Sequence, residues 1–522
     1  MEALERIGSI LAAKRFWRDG WIGARQTRIY LGKHLPAESL ARLTALEALL
    51  RPKDLVDKVR GVVLIDKSGR SIDLHDLEDV DDDDYAAAME RASATIEALG
   101  RDVAMDETAF ATLLPDLVIG DHKLLAFGRG LALGSDDPAH VWQTIVEQMK
   151  QTNNFSVALL AGFLQGLTSI NSEKSDSLLD EAVEDAVLAE WFPVIQSLLS
   201  IDEKAVARLH RALELGRAPI ARFVNLAYGR ASDALPGPVF QKLLSAINSR
   251  PGGTSVAIGI LSMRIHSDRT DKKASVPEVA QIGHELLGAY DFQKDTNGQR
   301  TQREDFELSG IVRATLREVS GKQIVRKLCR QLLIATANHS VSAFEYNDLV
   351  TSLMKTHPED ALDELVAGDE KARSRSVNLI ADISRHRENP MAALSDSTLL
   401  AWCEHDPHGR YPFVAATAPL FVGSNADDVS GWRDLARSLL KKAPDKKAVF
   451  KEIAARLTPT GGVGSLSSQY ETRLQLLSRL DVSDVRELNS AVAEVKQKLR
   501  SEADLWRKRE TDRDRDESGR FE

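Results

Sequence analysis

The stretch Gly321–Asn338 reads GKQIVRKLCRQLLIATAN. Ile324, Val325, Leu328, Cys329, Leu332 and Leu333 fall on one face at the 3.6-residue period of an α-helix. Lys322, Arg326, Lys327 and Arg330 fall on the opposite face, so the segment is an amphipathic helix with one side to bury.

The same period extends outward in both directions. Phe240, Leu243, Leu244 and Ile247 form one stripe, and Val206, Leu209 and Leu213 another. Further helices are predicted near 140–150, 157–167, 186–198, 254–267, 276–290, 306–319, 346–366, 371–384, 430–442 and 445–457. The breaks are short. Gly216-Arg217-Ala218-Pro219, Leu235-Pro236-Gly237-Pro238 and Arg250-Pro251-Gly252-Gly253 each supply a glycine to end one helix and a proline for the first turn of the next. From 186 to 267 this gives about five helices of roughly 12–15 residues, and short loops make neighbours antiparallel. The expected fold is all-α: a HEAT- or TPR-like α-solenoid of antiparallel helix hairpins with degenerate repeats. A globular bundle is the alternative, but roughly twenty helices do not share one core of ordinary size.

Two segments depart from this pattern. Val62 to Asp66 and Arg70 to Leu74, joined across Gly69, read as one small β-hairpin, 62–74. At the C-terminal end, Val485, Leu488, Val492, Val495 and Leu499 recur at three and four residues, and Trp506 rejoins the seam. This predicts a capping or assembly helix over 483–507 with Ser483 as its N-cap. Residues 508–522 alternate in charge and are expected to fray or stay disordered. The division along the chain is then 1–118, a helical segment with the hairpin and an acidic loop; 119–300 and 301–482, helical repeats; 483–507; and 508–522.

The 522 residues hold 43% hydrophobic and 28% charged side chains, a composition that buries a core. With 68 basic against 78 acidic residues the net charge is −10, which opposes a globally basic nucleic-acid binder. Only Cys329 and Cys403 are cysteines, so disulfide scaffolds and cysteine-rich zinc modules are excluded. The apolar run Ile10–Ala13 is cut by Lys14 and Arg15, too short for a signal peptide, and no apolar run reaches the ~18 residues of a spanning helix. A cytoplasmic protein without membrane contact is expected.

Candidate chemistries fail on particular residues. A phosphate-binding P-loop at Ser320-Gly321-Lys322-Gln323 would need glycine where Leu316 stands and Ser or Thr where Gln323 stands. Gly461 to Ser465 lacks the lysine and the preceding strand. Cys403, His405 and His408 have no second ligand pair and surround the turn-forming Pro407 and Gly409. The run Glu78, Asp79 and Asp81 to Asp84 has neither the glycine nor the bidentate glutamate of a calcium loop. No catalytic, cofactor-binding or metal-binding residue is therefore assigned. Basic stripes are the remaining candidate for partner or nucleic-acid contact. Arg313, Arg317, Lys322, Arg326, Lys327 and Arg330 form one, and Arg373, Arg375, Arg385, His386 and Arg387 another. Interleaved aromatics for base stacking are missing, so a solvated helix face is preferred.

Several strings resemble a known family. They are Phe127-Gly128-Arg129-Gly130-Leu131-Ala132 with Trp142, Leu160-Ala161-Gly162-Phe163-Leu164-Gln165-Gly166-Leu167, Leu226-Ala227-Tyr228-Gly229-Arg230, and Ala257 to Arg264. With Leu50-Arg51-Pro52-Lys53-Asp54-Leu55 and the ending from Glu510 to Glu522, they resemble the C-terminal helical, sensor-type region of large bacterial STAND-type ATPases of antiviral defence. The resemblance implies helical repeats that grip an invader's protein. It carries over no catalytic residue, and this chain lacks the ATPase module. The expected function is thus a non-catalytic helical-repeat protein that binds another macromolecule. A structural scaffold of a larger complex and a nucleic-acid-binding solenoid are the alternatives.

Overall fold

The computed structural model describes residues 6, 8, 10, 16–64, 85–120, 123–274, 276–292, 302–422, 431–459, 464–480 and 485–518. Helix makes up 78% of it, and the fold is all-α with one small antiparallel strand pair. The chain falls into two compact units, Met1–Arg264 and Ile265–Glu522, whereas the sequence reading divides it at 118/119, 300/301, 482/483 and 507/508.

In the first unit the helices are α1 (Arg18–Leu31), α2 (Ala37–Leu50), α3 (Leu55–Val62), α4 (Tyr85–Ala104), α5 (Glu107–Leu117), α6 (Lys123–Gly134), α7 (Pro138–Lys150), α8 (Ala158–Ile170), α9 (Ser172–Glu184), α10 (Leu188–Ser197), α11 (Glu203–Leu215) and α12 (Gly237–Asn248). The helix α13 (Gly253–Thr270) carries the division between units. Asp54, Asp106, Asp137, Asn171 and Asp202 each accept a backbone N–H and so cap α3, α5, α7, α9 and α11. Gly216 ends α11 in the left-handed region at φ 62°, as the turn reading of 216–219 requires.

Three helices in this unit approach unusually closely. A side chain on Gly130 of α6 would overlap the Glu97 carbonyl oxygen of α4, and one on Gly134 would lie 2.7 Å from the Arg101 oxygen. On the other side, Gly162 of α8 meets the Leu125 carbonyl, and a Cβ on Gly166 would lie 2.6 Å from the Arg129 oxygen. Residue numbers rise together along each pair, so α4, α6 and α8 are parallel and touch backbone to backbone. The glycines of the two strings quoted above, around 127–132 and 160–167, are thus packing glycines.

The second unit holds α14 (Pro277–Ala289), α15 (Gln302–Thr315), α16 (Lys322–Ala337), α17 (Asn347–Thr356), α18 (Pro358–Val366), α19 (Glu370–His386), α20 (Asp396–Cys403), α21 (Pro407–Thr417), α22 (Asp434–Lys442), α23 (Lys446–Ala455), α24 (Leu466–Ser478) and α25 (Asn489–Ser518). Consecutive helices are antiparallel: beside α15, Tyr290 after α14 bonds Glu304, while His284 lies 2.7 Å from the Thr315 oxygen. Alternate helices are parallel: Asp305 of α15 meets Leu349 of α17, and Arg313, two turns on, meets Ser352.

Four expectations change in detail. The segment 346–366 is two helices, because Pro358 disfavours helical backbone at His357, which sits at φ −138°. Ile220–Ala227 is a 3-10 helix, with Phe223 and Leu226 buried at its three-residue repeat. The predicted hairpin at 62–74 begins with Val62 closing α3 and Val63 and Leu64 in a turn, and its remainder, with the acidic run, lies outside the described residues. Among the described residues the strand pair is β1 (Phe421–Val422) with β2 (Gly431–Trp432), whose Phe421 and Trp432 rings pack 5.0 Å apart. Finally, α25 runs to Ser518 rather than ending near Arg507. The Glu510 carboxylate explains the extension: it accepts from Ser467 Oγ at 2.7 Å and Ser465 Oγ at 2.9 Å, tying the charged end of α25 to the start of α24.

Candidate functional site

The first basic stripe is matched inside its own unit. Arg326 Nε donates to Asp360 at 2.8 Å, and Lys322 Nζ lies 3.7 Å from the same carboxylate. Arg330 grips Glu364 through two nitrogens at 2.7 and 3.0 Å. Lys327 donates to the Gly288 carbonyl, Arg313 to Ser352 Oγ at 3.0 Å, and Arg317 to the Arg313 carbonyl at 2.9 Å. The bases of α16, spaced by four, therefore meet acids of α18 at matching intervals, and the two helices run parallel. The charges of Lys322, Arg326 and Arg330 are thus compensated by carboxylates, while Arg313, Arg317 and Lys327 donate to neutral groups.

The first unit builds the same device with the signs exchanged along the chain. Lys204, Arg208 and Arg211 of α11 face Asp176, Asp180 and Glu184 of α9 at 2.6–2.8 Å, again in parallel. Burial works against the Arg208 charge, but hydrogen bonds to Asp180 and Asp176 outweigh it and raise its pKa. The hydrogen bond from Lys204 leads the causes that hold the Asp176 carboxyl below its usual range.

The second stripe differs. Lys371, Arg373 and Arg375 of α19 are exposed and, among the described residues, none of them pairs with a carboxylate. Arg375 makes a long contact, 3.4 Å, to the Lys371 carbonyl of its own helix. Arg387 is also exposed, and the His386 ring packs 4.7 Å from Phe344. Beside α19 runs an open groove of about 460 Å³, with Arg375, Asn378 and Asp382 on one wall and Thr336, His339 and Ser342 on the other. Sequence reading found Arg375 and missed the facing wall. The signal was the polar break Asn338-His339-Ser340, in which His339 takes the left-handed conformation at φ 56°. A second cavity, of about 390 Å³ in the first unit, is bordered by Trp142, Lys150 and Asp185. Its lysine is already paired, 2.8 Å from Glu147 and 3.8 Å from Asp185.

The C-terminal seam is divided. Val485, Leu488 and Leu499 are buried, while Val492, Val495 and Trp506 are half-buried. Helix α25 packs antiparallel on α24, with Arg507 reaching Glu471. Elsewhere, Asp406 caps α21 through the Gly409 N–H, so the segment between Cys403 and His408 is a helix-to-helix turn. Burial pushes both thiols, Cys329 and Cys403, up to about 12. Among the described residues no group of three His, Cys, Asp or Glu side chains could hold a metal ion. No described helix is long and apolar enough to cross a membrane. At the failed P-loop, the Gly321 position lies against the Leu316 backbone, as the start of α16.

No protein-family model matches the chain, and no curated protein or solved structure matches it.

Proposed function

We propose that this chain is a non-catalytic helical-repeat protein that binds another macromolecule in the cytoplasm, as the recognition part of a bacterial antiviral-defence system. Within each unit, parallel alternate helices support a stack of helix hairpins, the architecture whose long surface serves recognition. The observation that carries the reading is the face of α19, where exposed Arg375 lines an open groove and exposed Lys371 lies one turn before it, neither paired with a carboxylate among the described residues, while Lys204, Arg208 and Arg211 of α11 and Lys322, Arg326 and Arg330 of α16 meet acids. Protein is favoured over nucleic acid because the net charge is −10 and the groove offers no row of exposed aromatics.

The test is co-expression of the tagged full chain with individually cloned phage proteins. The expected result is stable capture of a particular phage protein, lost in the Lys371→Glu, Arg375→Glu double variant. A partner that co-purifies equally from uninfected cells would favour the scaffold reading. Tight, sequence-selective DNA or RNA binding at about 150 mM salt would favour the nucleic-acid reading, since a stripe this small gives only salt-sensitive attraction.

A further inference from the structure

We infer that the groove beside α19 receives a partner's acidic helix, lying parallel to α19 with carboxylates four residues apart. The inference rests on the binding reading above and names its site and ligand chemistry. The molecule already contains this recognition twice. In α9 with α11, and again in α16 with α18, bases at four-residue intervals meet acids at matching intervals on a parallel helix. Helix α19 presents the third instance without its acidic half. Lys371 and Arg375 are exposed one turn apart; Arg375, Asn378 and Asp382 line the groove, and Lys371 lies on the same helix face just before it. Asp382 is half-buried and sits past the two bases, so the complementary helix carries a lysine or arginine about two turns beyond its second acid. Thr336, His339 and Ser342 on the facing wall offer polar groups to the flank of such a helix. A nucleic-acid strand brings no cation to pair with Asp382, whose carboxylate would repel its phosphates.

Disulfide trapping on the full chain tests this. Asn378→Cys places a thiol on the exposed face, and the two natural thiols are buried. The probe is an alanine-rich helical peptide with glutamates four residues apart, a cysteine three residues on and a lysine four residues further. Controls replace the glutamates by glutamine or lysine, and a thiol-tailed single-stranded oligonucleotide competes. The acidic peptide should resist reductant roughly fivefold better than the glutamine peptide, the preference two exposed ion pairs give. That preference should vanish at high salt and pass to the lysine peptide in the Lys371→Glu, Arg375→Glu background. Equal capture of acidic and neutral peptides, or stronger capture of the oligonucleotide, overturns the inference. Peptide capture together with failure of the phage-protein test leaves the site chemistry standing and removes the defence role.

Discussion

The Asp305 carboxylate accepts the backbone N–H of Leu349 at 2.7 Å, so a side chain of α15 caps the start of α17, the next helix but one. It also accepts from Asp348 at 3.0 Å. Burial drives its pKa from the ordinary 3.8 up to about 6, with the charge of Asp348 adding to the rise and Arg387 and the two backbone N–H groups opposing it. A raised carboxyl pKa means the folded state binds more protons than the unfolded state between these values. The contribution to stability is therefore fully present below about 3.8 and lost as pH rises through about 6. Denaturation of Asp305→Asn beside the parent across pH 4–7 should show the parent losing ground to the variant with rising pH. Asp305→Ala removes the cap outright and should cost about 0.5–2 kcal/mol near pH 4, less as pH rises. An unchanged difference between parent and Asp305→Asn over this window would refute the assignment.

Glycine substitutions should divide sharply. Gly130→Ala forces a methyl into the Glu97 carbonyl and should destabilise by roughly 1–3 kcal/mol or more, because the obstacle is backbone. Gly310→Ala, with open space around it inside α15, should stabilise by about 0.5–1 kcal/mol through helix propensity alone. Thermal unfolding of the two variants reads the contrast directly.

The two acid–base ladders should differ in strength. The Arg208 side chain is 7% exposed, so Arg208→Ala leaves Asp176 and Asp180 without their buried partner and should cost roughly 1–3 kcal/mol. Arg330 is 65% exposed, and Arg330→Ala should cost about 0–1 kcal/mol. Arg330→Glu should be partly rescued by Glu364→Arg, and a double-mutant cycle measures the coupling.

Truncation after Val482 removes α25, which packs on α24, whose buried residues include Tyr470, Leu476 and Leu477. The shortened chain should melt at lower temperature or aggregate. Glu510→Gln is the milder probe. Hydrogen bonds from Ser467 and Ser465 hold the Glu510 carboxyl below its usual 4.5, so its contribution is present above that value and lost as pH falls through the depressed pKa. A truncated chain that is equally stable but changes its assembly state would make α25 an association element instead.

The helices were legible because their signal is local. In Gly321–Asn338 the stripe picks out six residues: Val325, Leu328, Cys329 and Leu332 are buried, and Ile324 and Leu333 half-buried. Partners were not legible, because they are set by the meeting of distant faces. Nothing near Arg330 in sequence points to Glu364, 34 residues on, so a paired face and an unpaired one read alike as basic stripes. Hence the residues of α16 and those of α19 stood as equals until the fold aligned the acids of α18 with the bases of α16 and not with those of α19. Gly130 and Gly162 posed the same difficulty, since a glycine in a helix marks a close approach without naming what approaches.

The contact of α4, α6 and α8 through glycine has a mechanical meaning. Side chains that interlock can change rotamer and yield, but carbonyls pressed against α-carbons have no such freedom. The three helices therefore behave like racks whose teeth are peptide units, and sliding by less than a full turn, about 5.4 Å, brings backbone onto backbone. A force applied along α4 is passed to α8 as displacement, with little of it absorbed on the way.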